Sequence, residues 1–312
     1  MLPSDGLGKK FSGSLEGDAL LFVVYPRSPF LISPHLAKFC PRGLPVPCLY
    51  ENGACRRILE IEGHLVPYKV FIASEGMKPK LVVQIFSRDK SLAGKALNKV
   101  REIYRVNFDY SRFLKRTEGT PIYPIARKHY GLRPTGVPSV YEALIDSIIE
   151  QNISLNLAMK IKAEFVRQFG ERKTLSGEEY YSFPIPRKVG RLEPATLKKK
   201  IRTTLVKANA IIEVAKLAES LPPVEEIEEK PEDFMRYITR IKGVGKWTAE
   251  LSIAKVSRNF NIGPYGDLAV KRGFQRTFGI QSEEEIREIM SGLEEYTGLI
   301  LYLMALEGHR KR

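Results

Sequence analysis

The chain has 312 residues, of which 43% are hydrophobic and 28% charged, ordinary proportions for a folded protein and unlike those of a disordered chain. The longest apolar runs, such as Ala19 to Tyr25, are too short to span a bilayer, and Lys9 and Lys10 lead into polar residues instead of a signal core, so a cytoplasmic location is expected. A net charge of +14 raises affinity for polyanions, nucleic acid first among them, although a basic balance also serves solubility alone and a motif is needed to decide.

The first hundred residues read as short β runs at 20–25, 58–61, 68–72 and 81–86, separated by Pro41 to Pro45, by Glu51-Asn52-Gly53 and by Glu62-Gly63. This predicts a small antiparallel sheet with a helix or two, forming a β-rich domain over residues 1–106. Cys40, Cys48 and Cys55 are odd in number and too widely spaced for a zinc site, so they are expected to be buried or partly buried free thiols. His35, His64, His129 and His309 make no ligand pair at helical spacing, and no catalytic metal is expected.

From about Asp109 the period lengthens to that of helices. Leu144, Ile145, Ile148 and Ile149 share one face, as do Ala158, Ile161, Phe165 and Phe169, then Leu299, Tyr302, Leu303 and Leu306. These stripes read as core. Gly170, Pro184 and Pro186 interrupt the helices, and Pro222-Pro223 followed by acidic residues to Glu229 reads as an exposed connection. Residues 107–312 are therefore expected to form a helical region.

The densest signal is the run Ile238 to Ile253, in which one helix stops before Gly243 and another restarts near Lys246. Gly243 and Gly245 are both expected to supply positive φ and an uncovered backbone around Val244. The N–H groups there and the new helix's N-terminus can then meet a phosphate, with Lys242, Lys246 and Thr248 beside them. Such contacts position a protein on DNA without reading sequence. A turn of this kind also links purely structural helices. A truncated dinucleotide-binding loop is excluded, since a helix precedes the turn and the third glycine is absent.

Gly243-Val-Gly-Lys-Trp-Thr-Ala249, followed by Gly263-Pro-Tyr-Gly-Asp-Leu-Ala-Val-Lys-Arg272, resembles the helix-hairpin-helix (HhH-GPD) DNA glycosylase superfamily. Within it the chain is most similar to the 3-methyladenine glycosylases of bacteria and their archaeal relatives. Tyr130 to Pro134, Val140 to Leu144, Ile149 to Ser154 and Phe183 to Pro186 match too, and the resemblance runs over about residues 106 to 306. It implies an α+β protein, with an amino-terminal small antiparallel β-sheet domain followed by a two-lobed all-α glycosylase core. Asp267 corresponds to the family's catalytic aspartate. Read by itself, Asp267 lies between a Gly/Pro loop and a helical run, Leu268 to Phe278, where a carboxylate caps a helix, and backbone donors favour the ionised form suited to a cationic sugar.

The resemblance further implies a base pocket of Trp247, Tyr296 and Leu251. A wedge drawn from Gln151, Asn152 and Ile153 would fill the gap left by a flipped base. Trp247 stands where members that also cleave the strand carry a lysine, which implies a monofunctional hydrolase, with Lys246 about 100° away around the helix. The expected partner is double-stranded DNA with a damaged base, bound by a monomer and without a membrane. Alkylated purines lead as the lesion, ahead of hypoxanthine and 8-oxoguanine. Two other readings are a bifunctional lyase acting on oxidised bases and a noncatalytic hairpin DNA-binding protein. No cofactor is expected: the carboxyl-terminal third has no cysteines for an iron–sulfur loop, while the resemblance allows a structural monovalent cation on the hairpin carbonyls.

Overall fold

The computed structural model describes residues 19–309. The segment around Lys9 and Lys10, read above for a leader, lies outside the described residues. Five antiparallel strands, β1 (Ala19–Val24), β2 (Leu49–Glu51), β3 (Ala54–Ile61), β4 (His64–Ser74) and β5 (Lys80–Phe86), form one sheet in the order β1-β5-β4-β3-β2. Period-two burial explains β5, whose Leu81, Val83 and Ile85 are buried between less covered residues. Helix α1 (Ser33–Phe39) follows β1, and α2 (Lys90–Ile103) follows β5. The Asp89 side chain caps α2 by accepting from the Ser91 and Leu92 N–H groups, and Ala93, Ala96, Val100 and Ile103 turn one stripe toward the sheet.

The cysteines correct one expectation. Cys48 and Cys55 flank the short hairpin between β2 and β3, with Cα atoms 6.0 Å apart, and are joined as a disulfide, while Cys40 is a buried free thiol. Spacing along the chain did not show the pairing because the turn at Asn52-Gly53, both at positive φ, is what folds the two back onto each other.

The helical region forms two apolar cores. The first packs α5 (Val140–Glu150), α6 (Leu155–Phe169), α7 (Pro186–Val189), α8 (Pro194–Ile201), α9 (Leu205–Lys216), α10 (Val224–Glu229), α11 (Pro231–Ile238) and α12 (Lys246–Val256). The second joins α3 (Tyr110–Thr117) and α4 (Tyr123–Lys128) to α13 (Leu268–Phe278), α14 (Glu283–Ile289) and α15 (Thr297–Gly308), so the chain leaves this lobe, builds the other and returns. The run to Glu229, expected as an exposed connection, is helix α10 instead. Glu225 and Glu226 occupy its first turn, where the helix dipole favours them, and Ile227 is fully buried. A hairpin of β6 (Arg172–Leu175) and β7 (Glu178–Tyr181) adds to the helical lobe and meets the sheet, with Arg56 Nε donating to the Glu179 carbonyl at 3.0 Å. Among the described residues no single helix is long and apolar enough to cross a membrane.

Two buried cations mount the β sheet on the helices. Arg133, with no exposed surface, donates to the carbonyls of Phe108 (2.9 Å), Arg105 (3.2 Å), Gly131 (3.3 Å) and Pro29, and its guanidinium lies over the Phe30 ring. Arg57 of β3 makes a bidentate pair with Glu142 of α5 at 3.0 and 2.8 Å. His35 of α1 completes the junction, its two ring nitrogens 3.0 Å from the Tyr302 hydroxyl and 3.0 Å from Thr135 Oγ1.

Burial, aided by the Arg105 charge, pushes the His35 imidazole down to about 3 from an ordinary 6.5. Below about pH 6.5 the unfolded chain takes up a proton that the folded one refuses until about pH 3. Stability from this group is thus complete above pH 6.5 and lost on acidification. Thermal melts between pH 7.5 and 4.5 should therefore show a steeper loss for the wild type than for His35→Gln; parallel pH profiles would contradict this assignment.

Candidate active site

The hairpin between α11 and α12 differs from its sequence reading at one glycine. Gly243 has φ +95°, and a Cβ there would lie 3.0 Å from Val206 Cγ1 of α9, so the position needs glycine twice over. Gly245 has φ −102° and ψ 179°, extended backbone open to any residue, and a Cβ would meet nothing within 4 Å. The expected positive φ at Gly245 is corrected: one left-handed residue suffices, because Gly245 is already the extended N-cap of α12. Val244 is buried at 4% exposure and pins the turn into the core, its N–H donating to the Ile241 carbonyl at 2.9 Å.

The first bond of α12 runs from the Ala249 N–H to the Gly245 carbonyl at 3.1 Å. By helix geometry the N–H groups of Lys246, Trp247 and Thr248 have no partner within the helix and are aligned for an anion. Lys242 and Lys246 are exposed beside them, and Lys246 Nζ stands 3.7 Å from Glu250 and 3.6 Å from Glu283. Thr248 differs from the expectation of a surface contact. Its side chain is buried and its hydroxyl accepts from Gln151 Nε2 at 2.7 Å, so only its backbone N–H is left for an anion.

Gln151, Asn152 and Ile153 follow the end of α5 and separate into three different environments. Gln151 Nε2 also donates to the Gly243 carbonyl at 2.7 Å, so this side chain ties its turn to the hairpin. Ile153 packs against the helical core, and Asn152, at φ +51°, is the exposed member. Lys207, which sequence reasoning missed, reaches from α9 to donate to the carbonyls of Ile149 (2.9 Å) and Gln151 (2.7 Å). No pattern marks a lysine for this work, since its partners are main-chain groups 56 and 58 residues away.

Asp267 is the N-cap of α13. Its Oδ1 accepts from the N–H groups of Ala269 (2.8 Å) and Val270 (3.1 Å), while Oδ2 accepts from Trp247 Nε1 at 3.1 Å. The carboxylate is thus fixed on both oxygens, one by its own helix and one by the hairpin helix. Helix α13 is itself held against α15 where Gly273 meets the Met304 backbone and Gly308 meets that of Ala269; a Cβ at either glycine would fall about 2 Å from a carbonyl oxygen.

Trp247, Leu251, Asp267 and Asn152 line one cleft of about 1570 Å³ between the lobes and the β sheet. Tyr296, expected in the base pocket, does not line it. Its ring is buried 5.0 Å from Phe113 and 6.4 Å from Phe108 in the second lobe's core, because it precedes α15 on the side facing α3. Tyr302, six residues on, lines the cleft instead, 5.6 Å from His35, which with Phe39 brings α1 into the wall. Tyr302 was visible only as part of a core stripe, and nothing in the sequence places α1 beside it. Among the described residues there is no cluster of three or more His, Cys, Asp or Glu able to hold a metal ion.

Residues 145–297 match the model of the HhH-GPD superfamily of base excision DNA repair proteins. Among curated proteins it is 30% identical over 174 residues to a DNA-3-methyladenine glycosylase of Bacillus subtilis, covering 55% of this chain and 57% of the relative. It is 32% identical over 120 residues to DNA-3-methyladenine glycosylase 2 of Escherichia coli, covering 38% of this chain and 42% of the relative. The matched stretches thus span about half the length of these two relatives. Among solved structures, a 3-methyladenine DNA-glycosylase from Archaeoglobus fulgidus superposes with a TM-score of 0.79 at 25% identity, over 91% of this chain and 97% of that one. An 8-oxoguanine glycosylase/lyase from Clostridium acetobutylicum shares the fold, with a TM-score of 0.66 at 17% identity over 93% and 97% of the chains. The fold class read from the sequence, a β-sheet domain before a helical helix-hairpin-helix core, is the one observed.

Gly243→Ala should destabilise the protein by about 1–3 kcal/mol, the cost of a left-handed alanine plus the Val206 clash. Gly245→Ala should stay within about 0.5 kcal/mol of the wild type. Urea unfolding of the pair checks this, and equal losses would contradict the turn geometry. Lys207→Met leaves two carbonyls without their donor and should cost about 1–3 kcal/mol in the same experiment; an unchanged midpoint would mean that Lys207 does not hold the turn.

Proposed function

We propose that the protein is a monofunctional DNA glycosylase. It acts as a monomer on double-stranded DNA and hydrolyses the N-glycosidic bond of a flipped, damaged purine, with alkylated bases foremost. The observation that carries this reading is the Asp267 carboxylate, held at the cleft by three donors with the Trp247 indole against it. As the glycosidic bond breaks, positive charge develops on the sugar, and a preorganised carboxylate stabilises it without having to reorient. The base leaves with the bonding pair, and a water adds to the sugar carbon and loses a proton to solvent, leaving a hydroxyl in the base's place. A cationic alkylated base departs readily and needs no strong acid, which agrees with a cleft wall built on aromatic Trp247 and Tyr302.

In this reading the N–H groups of α12's first turn and the basic balance of +14 serve the DNA backbone, and Asn152, exposed beside the cleft, is the residue assigned to fill the vacated stack. In this reading residues 1–106 are a β-rich domain that walls the base pocket, and 107–312 carry the chemistry. The names of the Bacillus subtilis and Escherichia coli relatives support the choice of alkylated bases. Trp247 offers no amine, so hydrolysis without strand cleavage is expected. Borohydride reduction with lesion DNA should leave no covalent adduct, and a trapped protein–DNA species would favour a lyase.

The decisive variant is Asp267→Asn, which keeps shape and capping ability while removing the charge. Under single-turnover conditions on a methylated duplex, base release should fall by at least about 100-fold with the duplex still bound, while the amide NH2 that replaces Oδ2 meets the Trp247 N–H and should lower stability by about 1–3 kcal/mol without unfolding the protein. Release near the wild-type rate by the folded variant would leave Asp267 as a helix cap alone.

A further inference from the structure

Tyr302, Ala305, Leu306 and His309 all line the cleft, one stripe running along α15 to its C-cap. Tyr302 and His309 are seven residues apart, which puts them on the same side of the helix about 10 Å along its axis. The end of α15 is fixed against α13. Gly308 meets the Ala269 backbone, and Arg276 donates to the carbonyls of Glu307 at 3.2 Å and Gly308 at 3.1 Å. Ala269 in turn donates its N–H to Asp267 Oδ1 at 2.8 Å. His309 thus stands beside the first turn of α13, where the Asp267 charge acts on its ring.

Two further cations converge on the same end of the cleft. Lys38 comes from the last turn of α1 in the β-rich domain and Arg272 from α13, and both line the cleft. The charged groups that face the His309 ring are therefore Lys38 from α1 and Asp267 and Arg272 from α13. Burial, helped by the two cations, holds this imidazole below its ordinary range, a direction that the Asp267 charge opposes without reversing. Among the described residues Lys38, Arg272 and His309 form no ion pair, whereas other exposed cations have carboxylates at hand, as Lys95 has Glu62 and Arg287 has Glu283, each at 2.6 Å. Asp267, the carboxylate beside them, is already held on both oxygens by three donors. Three cationic groups gathered in this way focus a positive potential on one end of the cleft. They would oppose the positive charge that develops on the sugar unless an anion lay among them.

We infer that Lys38, Arg272 and His309 form a second phosphate site, which takes one backbone phosphate of the strand that carries the flipped nucleotide. This inference rests on the glycosylase reading above. The start of α12 holds the backbone from the hairpin, and the second site holds it from α1, α13 and the end of α15. Through Lys38 the β-rich domain then contributes a DNA contact as well as a wall of the pocket. A phosphate also draws a proton onto the imidazole, which is neutral at pH 7 in the free protein, so binding takes up a proton and tightens as the pH falls. These contacts position the strand, and bond breaking at Asp267 does not use them.

The test measures equilibrium binding to a duplex with a tetrahydrofuran abasic-site analogue, with one neutral methylphosphonate at a time replacing the phosphates on either side of the analogue. One such replacement should weaken wild-type binding at least about fivefold. The combined variant Lys38→Gln, Arg272→Gln, His309→Gln should bind the unmodified duplex at least about tenfold more weakly and lose nothing further to that methylphosphonate. Its log–log dependence on salt should be shallower by about 0.9 for the one phosphate released. Its release of methylated bases at saturating protein should stay within about threefold of the wild type. Between pH 8 and pH 6 binding by the wild type should tighten, and binding by His309→Gln should not. Should the combined variant not fold, Arg272→Gln and His309→Gln singly carry the same comparison. Equal methylphosphonate losses in wild type and variant, or an unchanged salt slope, would leave the three as solvated surface charges and overturn the inference. A wild type that shows the methylphosphonate pattern but releases no methylated base overturns the glycosylase reading instead.

Discussion

The contact on which the site depends is the one between the Trp247 indole N–H and Asp267 Oδ2. It joins the helix restarted by the hairpin to the helix capped by the aspartate, two elements from different apolar cores. With Oδ1 occupied by two backbone donors of α13, the carboxylate has little freedom to rotate. The geometry of the cleft wall follows from where these two helices begin. A helix start offers unpaired N–H groups, and the structure uses two neighbouring starts differently: one takes a side-chain carboxylate and the other is open to an anion from outside.

The elements around the hairpin are coupled through the main chain as well as through the apolar core. Gln151 bonds to the Gly243 carbonyl and the Thr248 hydroxyl, and Lys207 gathers the carbonyls at the end of α5. The turn after α5 and the turn between α11 and α12 are thereby kept in register by buried hydrogen bonds. Such bonds are worth about 1 kcal/mol each in net stability, and more as constraints on geometry, since breaking one leaves a buried partner unsatisfied.

Charge plays the same part at the domain junction. Arg133 is buried against carbonyls without a carboxylate, and Arg57 with Glu142 spans sheet and helix. Desolvation offsets much of the attraction in such pairs, so their contribution lies less in stability than in fixing one arrangement of sheet and helices. That arrangement brings α1, with His35 and Phe39, to a cleft whose other wall is α12.

The sequence by itself determined most local features: strands β1, β3, β4 and β5 by their apolar runs though not β2, β6 or β7, the longer helices by their stripes, the helix α13 by its capping Asp267, and the hairpin by Gly243 and the restart at Lys246. Each rests on residues within a turn or two of one another, where period, capping and backbone freedom act. What only the tertiary structure decided depends on residues far apart in the chain. Tyr302 rather than Tyr296 reaches the cleft because of how α15 lies against α1, and α10 is a helix because Ile227 finds a core. Cys48 meets Cys55 because a turn folds the β2–β3 hairpin, and Gly245 proved ordinary because the N-cap conformation at that point is already extended. The partners of Lys207, Lys255 and Arg133 were likewise out of reach, since a lysine or arginine carries no periodic signature and its partners are set by which backbone carbonyls and carboxylates the packing leaves exposed to it.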